Sequence, residues 1–286
     1  MRLKNITRRQ FIIGAGATCI LGASGLGYAR FVAPFDYEVT TRDVFIENLP
    51  PAFDNFRITQ ITDLHHSDFV PLDEVQRVVA LANETKPDLF ALTGDFTTNN
   101  HPEYLAPCIE ALRALEAPHG VLAVLGNHDQ HRRARLQTDD MLRRGGLQLL
   151  LNDNTRIVRG ADELPIAGVD DVSWGRLDWQ RASKGIDFRR ATILLSHQPI
   201  VFDEDWARRF SLTLAGHTHG GQVALPLIGA PARVMRQFKF IGGLFARETS
   251  QMYVSRGTGM VGLPLRFGAR PEIAVLRLRH AEMPRS

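Results

Sequence analysis

The stretch Leu214 to Gln222 reads LAGHTHGGQ and places two imidazoles one residue apart where an apolar run ends. In an extended segment residues i and i+2 face the same side. His217 and His219 would then point at one spot, and imidazole nitrogen suits first-row transition metals. Chance pairing among ten histidines is the competing explanation, so the rest of the chain has to decide. Four further polar clusters each follow an apolar run: Asp63-Leu64-His65, Gly94-Asp95, Gly126-Asn127-His128-Asp129, and His197. Singly, each carries little weight. Together, in this order, they assemble carboxylate, amide and imidazole ligands without a thiolate. Such a set suits Mn, Fe, Zn or Co rather than Ca or Mg alone.

The series D-x-H, G-D, G-N-H-D, H and G-H-x-H resembles the calcineurin-like metallophosphoesterases from Asp63 to His219, and Gly257-Thr258-Gly259 extends the likeness. The resemblance implies an α/β fold of two packed mixed β-sheets flanked by helices, an αββα sandwich. It implies two divalent transition-metal ions, one held by Asp63, His65 and His219, the other by Asn127, His197 and His217, with Asp95 between them. A hydroxide bridging the ions would attack a phosphodiester, a pyrophosphate or a phosphomonoester, the usual logic of two-metal hydrolysis. Manganese or an iron-containing pair is preferred, with zinc open. His128 would touch the substrate and protonate the leaving oxygen, Asp129 would orient the loop, and His66 would lie at the rim or in solvent.

One departure matters. Many relatives carry G-D-x-x-D, whose last Asp orients the catalytic histidine. Here Thr98 stands at that place. A neutral hydroxyl holds an imidazolium less well than a carboxylate does, so His128 is expected to be a weaker acid unless Asn99, Asn100 or the substrate assists. That favours an activated substrate.

These residues need elements to position them. Strands are expected at Val39–Ile46, Arg57–Thr62, Asp88–Thr93, Val121–Leu125, Leu164–Val169, Thr192–Leu195, Leu212–Ala215, Met252–Ser255 and Ile273–Leu278. Helices are expected at Leu72–Glu84, Glu103–Leu115 and Arg132–Arg144, from apolar spacing and stop signals. The polar clusters fall at strand C-termini, where sites in α/β sheets gather. No linker or repeat interrupts residues 37–286, which read as one catalytic domain.

The first 29 residues read as an address. They hold Arg2, Lys4, Arg8 and Arg9 and no acid, then an uncharged run from Phe11 to Ala29. Thr7-Arg8-Arg9-Gln10-Phe11 resembles the twin-arginine export signal, with a small-x-small cleavage site at Gly27-Tyr28-Ala29. An uncleaved anchor is the rival, since nineteen helical residues span about 28 Å, close to a hydrocarbon core. Both place the bulk of the protein outside the cytoplasm, in the periplasm or on the outer face of the membrane, with the twin-arginine machinery as a partner. Cys108 is the only cysteine beyond this segment, Cys19 lying within it, so no intramolecular disulfide is expected.

Removing the four basic residues of the segment from 34 leaves 30 against 31 acidic ones. Nucleic acid is therefore not an expected partner, which speaks against a nuclease of the same family. A non-catalytic metal-containing binding protein at a membrane is a further alternative, disfavoured by the full ligand set. Residues 222–247 are apolar and basic together, and with Leu263–Phe267 they read as an amphipathic flap touching lipid. A phosphate ester is the expected substrate, with a lipid-linked ester among the candidates. This resembles exported or membrane-bound bacterial phosphohydrolases, some of which cleave the pyrophosphate of UDP-diacylglucosamine, a cytoplasmic chemistry that an exported enzyme would not meet.

Overall fold

In the computed structural model, residues 24–98, 101–130, 134–235 and 238–281 are described. The twin-arginine motif, Cys19, Asn99, Asn100 and Arg236 lie outside the described residues. Among the described residues twelve strands form two six-stranded sheets. The first holds β1 (Glu38–Ile46), β12 (Glu272–His280), β2 (Arg57–Ile61), β3 (Leu89–Leu92), β4 (Val121–Ala123) and β5 (Gln148–Leu149), in that spatial order. The second runs β10 (Gly243–Arg247), β11 (Ser250–Val254), β9 (Leu212–Ala215), β8 (Ile193–Leu195), β7 (Asp162–Gly168) and β6 (Asp153–Arg159). Both are mixed: β2, β3, β4 and β5 run parallel while β12 is antiparallel to β2. In the second sheet β7, β8, β9 and β11 run parallel, and β6 and β10 pair antiparallel at its edges.

The sheets meet face to face over Ile58, Leu89 and Leu122 on one side and Leu164, Ile193 and Leu212 on the other, all essentially solvent-free. The four-residue run of β3 is buried on both faces, as a central parallel strand should be. The outer face of the first sheet is covered by helices α1 (Leu72–Glu84), α2 (Pro102–Leu112) and α3 (Ala134–Arg144). Helix α1 buries Val75, Val78, Val79 and Ala82 at helical spacing. Its first turn carries Asp73 and Glu74, which suit the positive end of the helix. Helix α2 starts on Pro102, whose missing N–H costs nothing at that position, and ends three residues before the expected Leu115. The second sheet is covered by short segments instead, including the one-turn helix α4 (Trp179–Ala182). No helix among the described residues is long and apolar enough to cross a membrane.

Candidate metal centre

The five polar clusters converge where β2, β3, β4, β8 and β9 end. Sharp turns make this possible. Asp63, His65, Asp95, His217 and His219 all have φ between 50° and 71°, the left-handed region that side chains rarely adopt. Such strain persists only where surrounding structure fixes it, and it gathers at functional sites. The two histidines of the opening stretch are therefore not on one face of an extended segment. A left-handed turn sends them to different groups: His219 joins Asp63 and His65, while His217 joins Asp95 and His197.

Within the first group His65 Nε2 faces His219 Nε2 at 3.1 Å, and His219 Nε2 lies 3.4 Å from Asp63 Oδ1. Within the second, His197 Nε2 lies 3.2 Å from His217 Nδ1 and 3.1 Å from Asn127 Oδ1. Asp95 stands between them, its Oδ2 at 3.4 Å from His65 Nε2 and 3.2 Å from His197 Nε2. Asp63, His65, Asp95, His197 and His219 are buried. Asn127, His128 and His217 are half-buried.

Close packing tolerates nothing extra here. A Cβ on Gly126 would stand 2.1 Å from Asp95 Oδ1, and one on Gly216 would stand 2.4 Å from Asp63 Oδ2. Asp129 supports the turn as expected: its buried carboxylate accepts N–H bonds from Asp95 (2.7 Å), Gly126 (2.8 Å) and Phe96 (3.0 Å). The Asp63 carboxylate accepts the His217 N–H and the Thr62 hydroxyl. His197 Nδ1 donates to the Thr93 carbonyl at 2.8 Å, which leaves Nε2 to face the group.

The electrostatics fit cations. Burial holds His65 and His217 unprotonated, their pKa values pushed down to about 3, and pushes His219 well below its usual range. Neutral imidazoles with converging lone pairs are what a metal requires. Burial also opposes charge on His197, but the Asp95 carboxylate outweighs it and raises this histidine to about 10. Burial, opposed by His197, raises Asp63 to about 6. A cation held by the second group would take the place of the His197 proton, as metal binding at histidine generally does. Four imidazoles, two carboxylates and an amide oxygen, grouped this way, fit two transition-metal ions.

His128 lies at the mouth, near both groups: its ring is 4.9 Å from that of His65, edge to face. Its Nδ1 donates to the main-chain carbonyl of Thr98. A carbonyl can only accept, so Nδ1 carries the hydrogen and Nε2 is left for substrate. The backbone of residue 98 thus does the orienting that the sequence pattern assigns to a side chain. The Thr98 hydroxyl turns away to the His65 carbonyl. Thr98→Val is accordingly expected to keep kcat within about threefold of the parent, because only one marginal hydrogen bond is lost. Steady-state hydrolysis of an aryl phosphate checks this; a fall beyond tenfold would place the hydroxyl in the machinery.

Three expectations change. His66 is buried, not solvent-facing, and its Nδ1 donates to the Val70 carbonyl. Arg266, expected on a surface, is fully buried. Its guanidinium donates to the carbonyls of Gly259, Ala269, Arg256 and Gly257 and comes within 3.3 Å of His219 Nδ1. Burial lowers its pKa to about 10. An arginine within LPLRF reads as amphipathic surface, and no sequence signal separates the two cases. Third, the 222–247 segment divides. Phe240 is buried, and Lys239 and Arg247 both pair with Asp203. Leu225, Leu227, Ile228, Val234 and Met235 are exposed.

A twelve-stranded sandwich with this convergent Asp/Asn/His cluster defines a phosphoesterase of the two-metal type. The family model for calcineurin-like phosphoesterases matches residues 56–221, and the chain belongs to that family. It is 34% identical to the metallophosphoesterase YkuE of Bacillus subtilis strain 168, over 97% of this chain and 99% of the relative. It is 31% identical to the phosphodiesterase YaeI of Escherichia coli K12, over 96% and 99%. Among solved structures, the sulfate thiohydrolase SoxB of Thermus thermophilus shares the fold, with a TM-score of 0.50 and 16% identity over 80% of this chain and 57% of that one. The protein is an enzyme, a metallophosphoesterase.

Proposed function

We propose that the protein is a phosphodiesterase working with two divalent transition-metal ions, manganese or an iron-containing pair first, zinc next. Asp63, His65 and His219 would hold one ion and Asn127, His197 and His217 the other, with Asp95 shared. The observation that carries this reading is the position of Asp95 Oδ2, which stands within 3.4 Å of a histidine nitrogen from each group. When bound, such an ion pair supplies Lewis acidity and an activated water.

The chain's own residues do the remainder. The Thr98 carbonyl fixes His128 Nδ1–H, so Nε2 points toward the substrate and, when the ring carries a proton on both nitrogens, can deliver the Nε2 proton to the leaving oxygen. The turns held by Asp129 keep Asp95 in place, so little reorganisation is needed during reaction. A diester is favoured over a monoester because YaeI, a relative, is named a phosphodiesterase, and because no lysine or arginine is among the described residues that line the cavity. The reading extends to a lipid-linked ester met at a membrane surface outside the cytoplasm. It is supported by the export-like N-terminal sequence and by the exposed apolar residues of 225–235.

The deciding experiment compares bis-p-nitrophenyl phosphate with p-nitrophenyl phosphate, using the full chain loaded with Mn²⁺. Faster turnover of the diester is expected, and His128→Ala is expected to lower kcat by about a hundredfold, the lower range for a general acid. A monoester preference would reverse the assignment. An unchanged rate in His128→Ala would remove this histidine from the reaction.

A further inference from the structure

A cavity of about 510 Å³ opens on Asp95, His128, His217 and His219. Beyond those residues its described walls include the apolar Val223, Pro231, Met235, Phe238, Val261 and Leu263, with Thr218 and Gln222 among them. Phe238 stacks on the His217 imidazole, ring planes within 6° and centroids 6.1 Å apart. Among the described residues, the polar side chains on these outer walls are already engaged. The Gln222 amide donates to the carbonyls of Val261 and Leu263 and accepts the Val261 N–H, and the Thr218 hydroxyl donates to Ile241. A nucleobase or sugar would leave its own polar groups unpaired against these walls, a costly arrangement. A hydrocarbon chain would lose nothing.

The surroundings say where such a chain comes from. Of seventeen exposed large hydrophobic residues among the described ones, eleven fall on 26–32, Phe69, 225–235 and Leu263. These segments are pinned together beside the mouth. The Arg266 N–H donates to the Ala29 carbonyl, Val223 bridges to Phe267, and the Arg30 guanidinium lies 5.7 Å from the Phe69 ring centroid. Exposed apolar residues on segments linked in this way mark an interaction site. The uncharged run 11–29 ends at this apolar collar, and a bilayer is the partner that suits both.

We propose that the cavity is the subsite for an aliphatic chain of an amphiphilic phosphodiester, which enters from a lipid bilayer lying against the collar. This rests on the phosphodiesterase reading and names its substrate class. The phosphate sits on the metal groups, the leaving alcohol lies toward His128, and the aliphatic ester arm lies along Phe238, Met235 and Leu263.

The test uses the full chain loaded with Mn²⁺ and two diesters with one leaving group, p-nitrophenyl methyl phosphate and p-nitrophenyl octyl phosphate, both monomeric. The octyl ester is expected to have the higher kcat/KM by about thirtyfold, equivalent to two or three fully buried methylenes. Met235→Gln and Leu263→Gln are each expected to cut that ratio to under a third. A third arm places p-nitrophenyl octadecyl phosphate in phosphatidylcholine vesicles. Leu227→Ser/Ile228→Ser, on the collar outside the cavity, is expected to slow the vesicle substrate at least fivefold more than the monomeric octyl ester. A ratio near one in the parent overturns the chain subsite and leaves the phosphodiesterase standing. Equal slowing in the third arm overturns the bilayer and favours a free amphiphile. No turnover of any ester with two ions bound overturns both this proposal and the reading it rests on.

Discussion

Asp95→Asn is expected to lower kcat by at least a thousandfold and to leave fewer than two metal ions per chain. Asp95 reaches both histidine groups through Oδ2, while its Oδ1 accepts the His128 N–H at 2.9 Å. That second contact decides how an amide would sit. If the amide nitrogen faced His128, two donors would meet. The oxygen must therefore stay on His128, and the NH2 group turns toward the site. Two cations would then face a neutral donor where a shared anion had been. Bridging and charge stabilisation of this kind are worth several kcal/mol, and about 4 kcal/mol corresponds to a thousandfold in rate. The fold should survive, because the substitution is isosteric. Metal analysis, circular dichroism and hydrolysis of an aryl diester check all three statements. Two bound ions with turnover within tenfold of the parent would dismiss the shared role of Asp95.

Much of this site was legible because its chemistry is written locally. Asp63, His65, Asp95, Asn127, His197, His217 and His219 each follow an apolar strand closely, and strand ends in α/β sheets converge. The order of clusters then stands in for geometry. The central strands β3, β4, β8 and β9 were likewise readable, being short and largely apolar runs buried on both faces, while β2 (RITQI) carries its buried polar Thr59 and Gln60 between Ile58 and Ile61. The missed strands β5, β6 and β10 are all edge strands. With one neighbour and a partly solvated surface, Asp153–Arg159 and Gly243–Arg247 carry polar and mixed residues that do not announce a strand. Contacts made by the main chain were illegible for a different reason. The Thr98 carbonyl that holds His128 is present in every residue, so no side-chain pattern reveals it. Arg266 is the converse case, a charged side chain satisfied wholly by carbonyls brought together from distant loops.

Asp129→Ala is expected to be the most destabilising single change near the site, lowering the melting temperature of the metal-free protein by about 10 °C. The carboxylate is fully buried and joins the turn after β3 to the turn after β4 through three main-chain N–H bonds. Alanine leaves those donors without their acceptor in a place closed to water. Each such loss costs about 1–3 kcal/mol, and for the set we expect about 3–5 kcal/mol, since the losses share one relaxation. In a domain of this size each kcal/mol moves the midpoint by about 2–4 °C. Asp129→Asn should fall between parent and Ala, because one oxygen can still accept from Asp95 and Gly126 while the amide nitrogen opposes the Phe96 N–H. Turnover should fall with stability in the Ala variant, since the Asp95 backbone, at φ 57°, is held there by the bond it donates. Calorimetry without metal separates this from ligand stabilisation, which would otherwise mask the loss. A drop under about 3 °C in Asp129→Ala would mean that the two turns hold each other without the carboxylate. The strained φ values of Asp63, Asp95 and His217 would then have to be fixed by packing of Gly94, Gly126 and Gly216 alone.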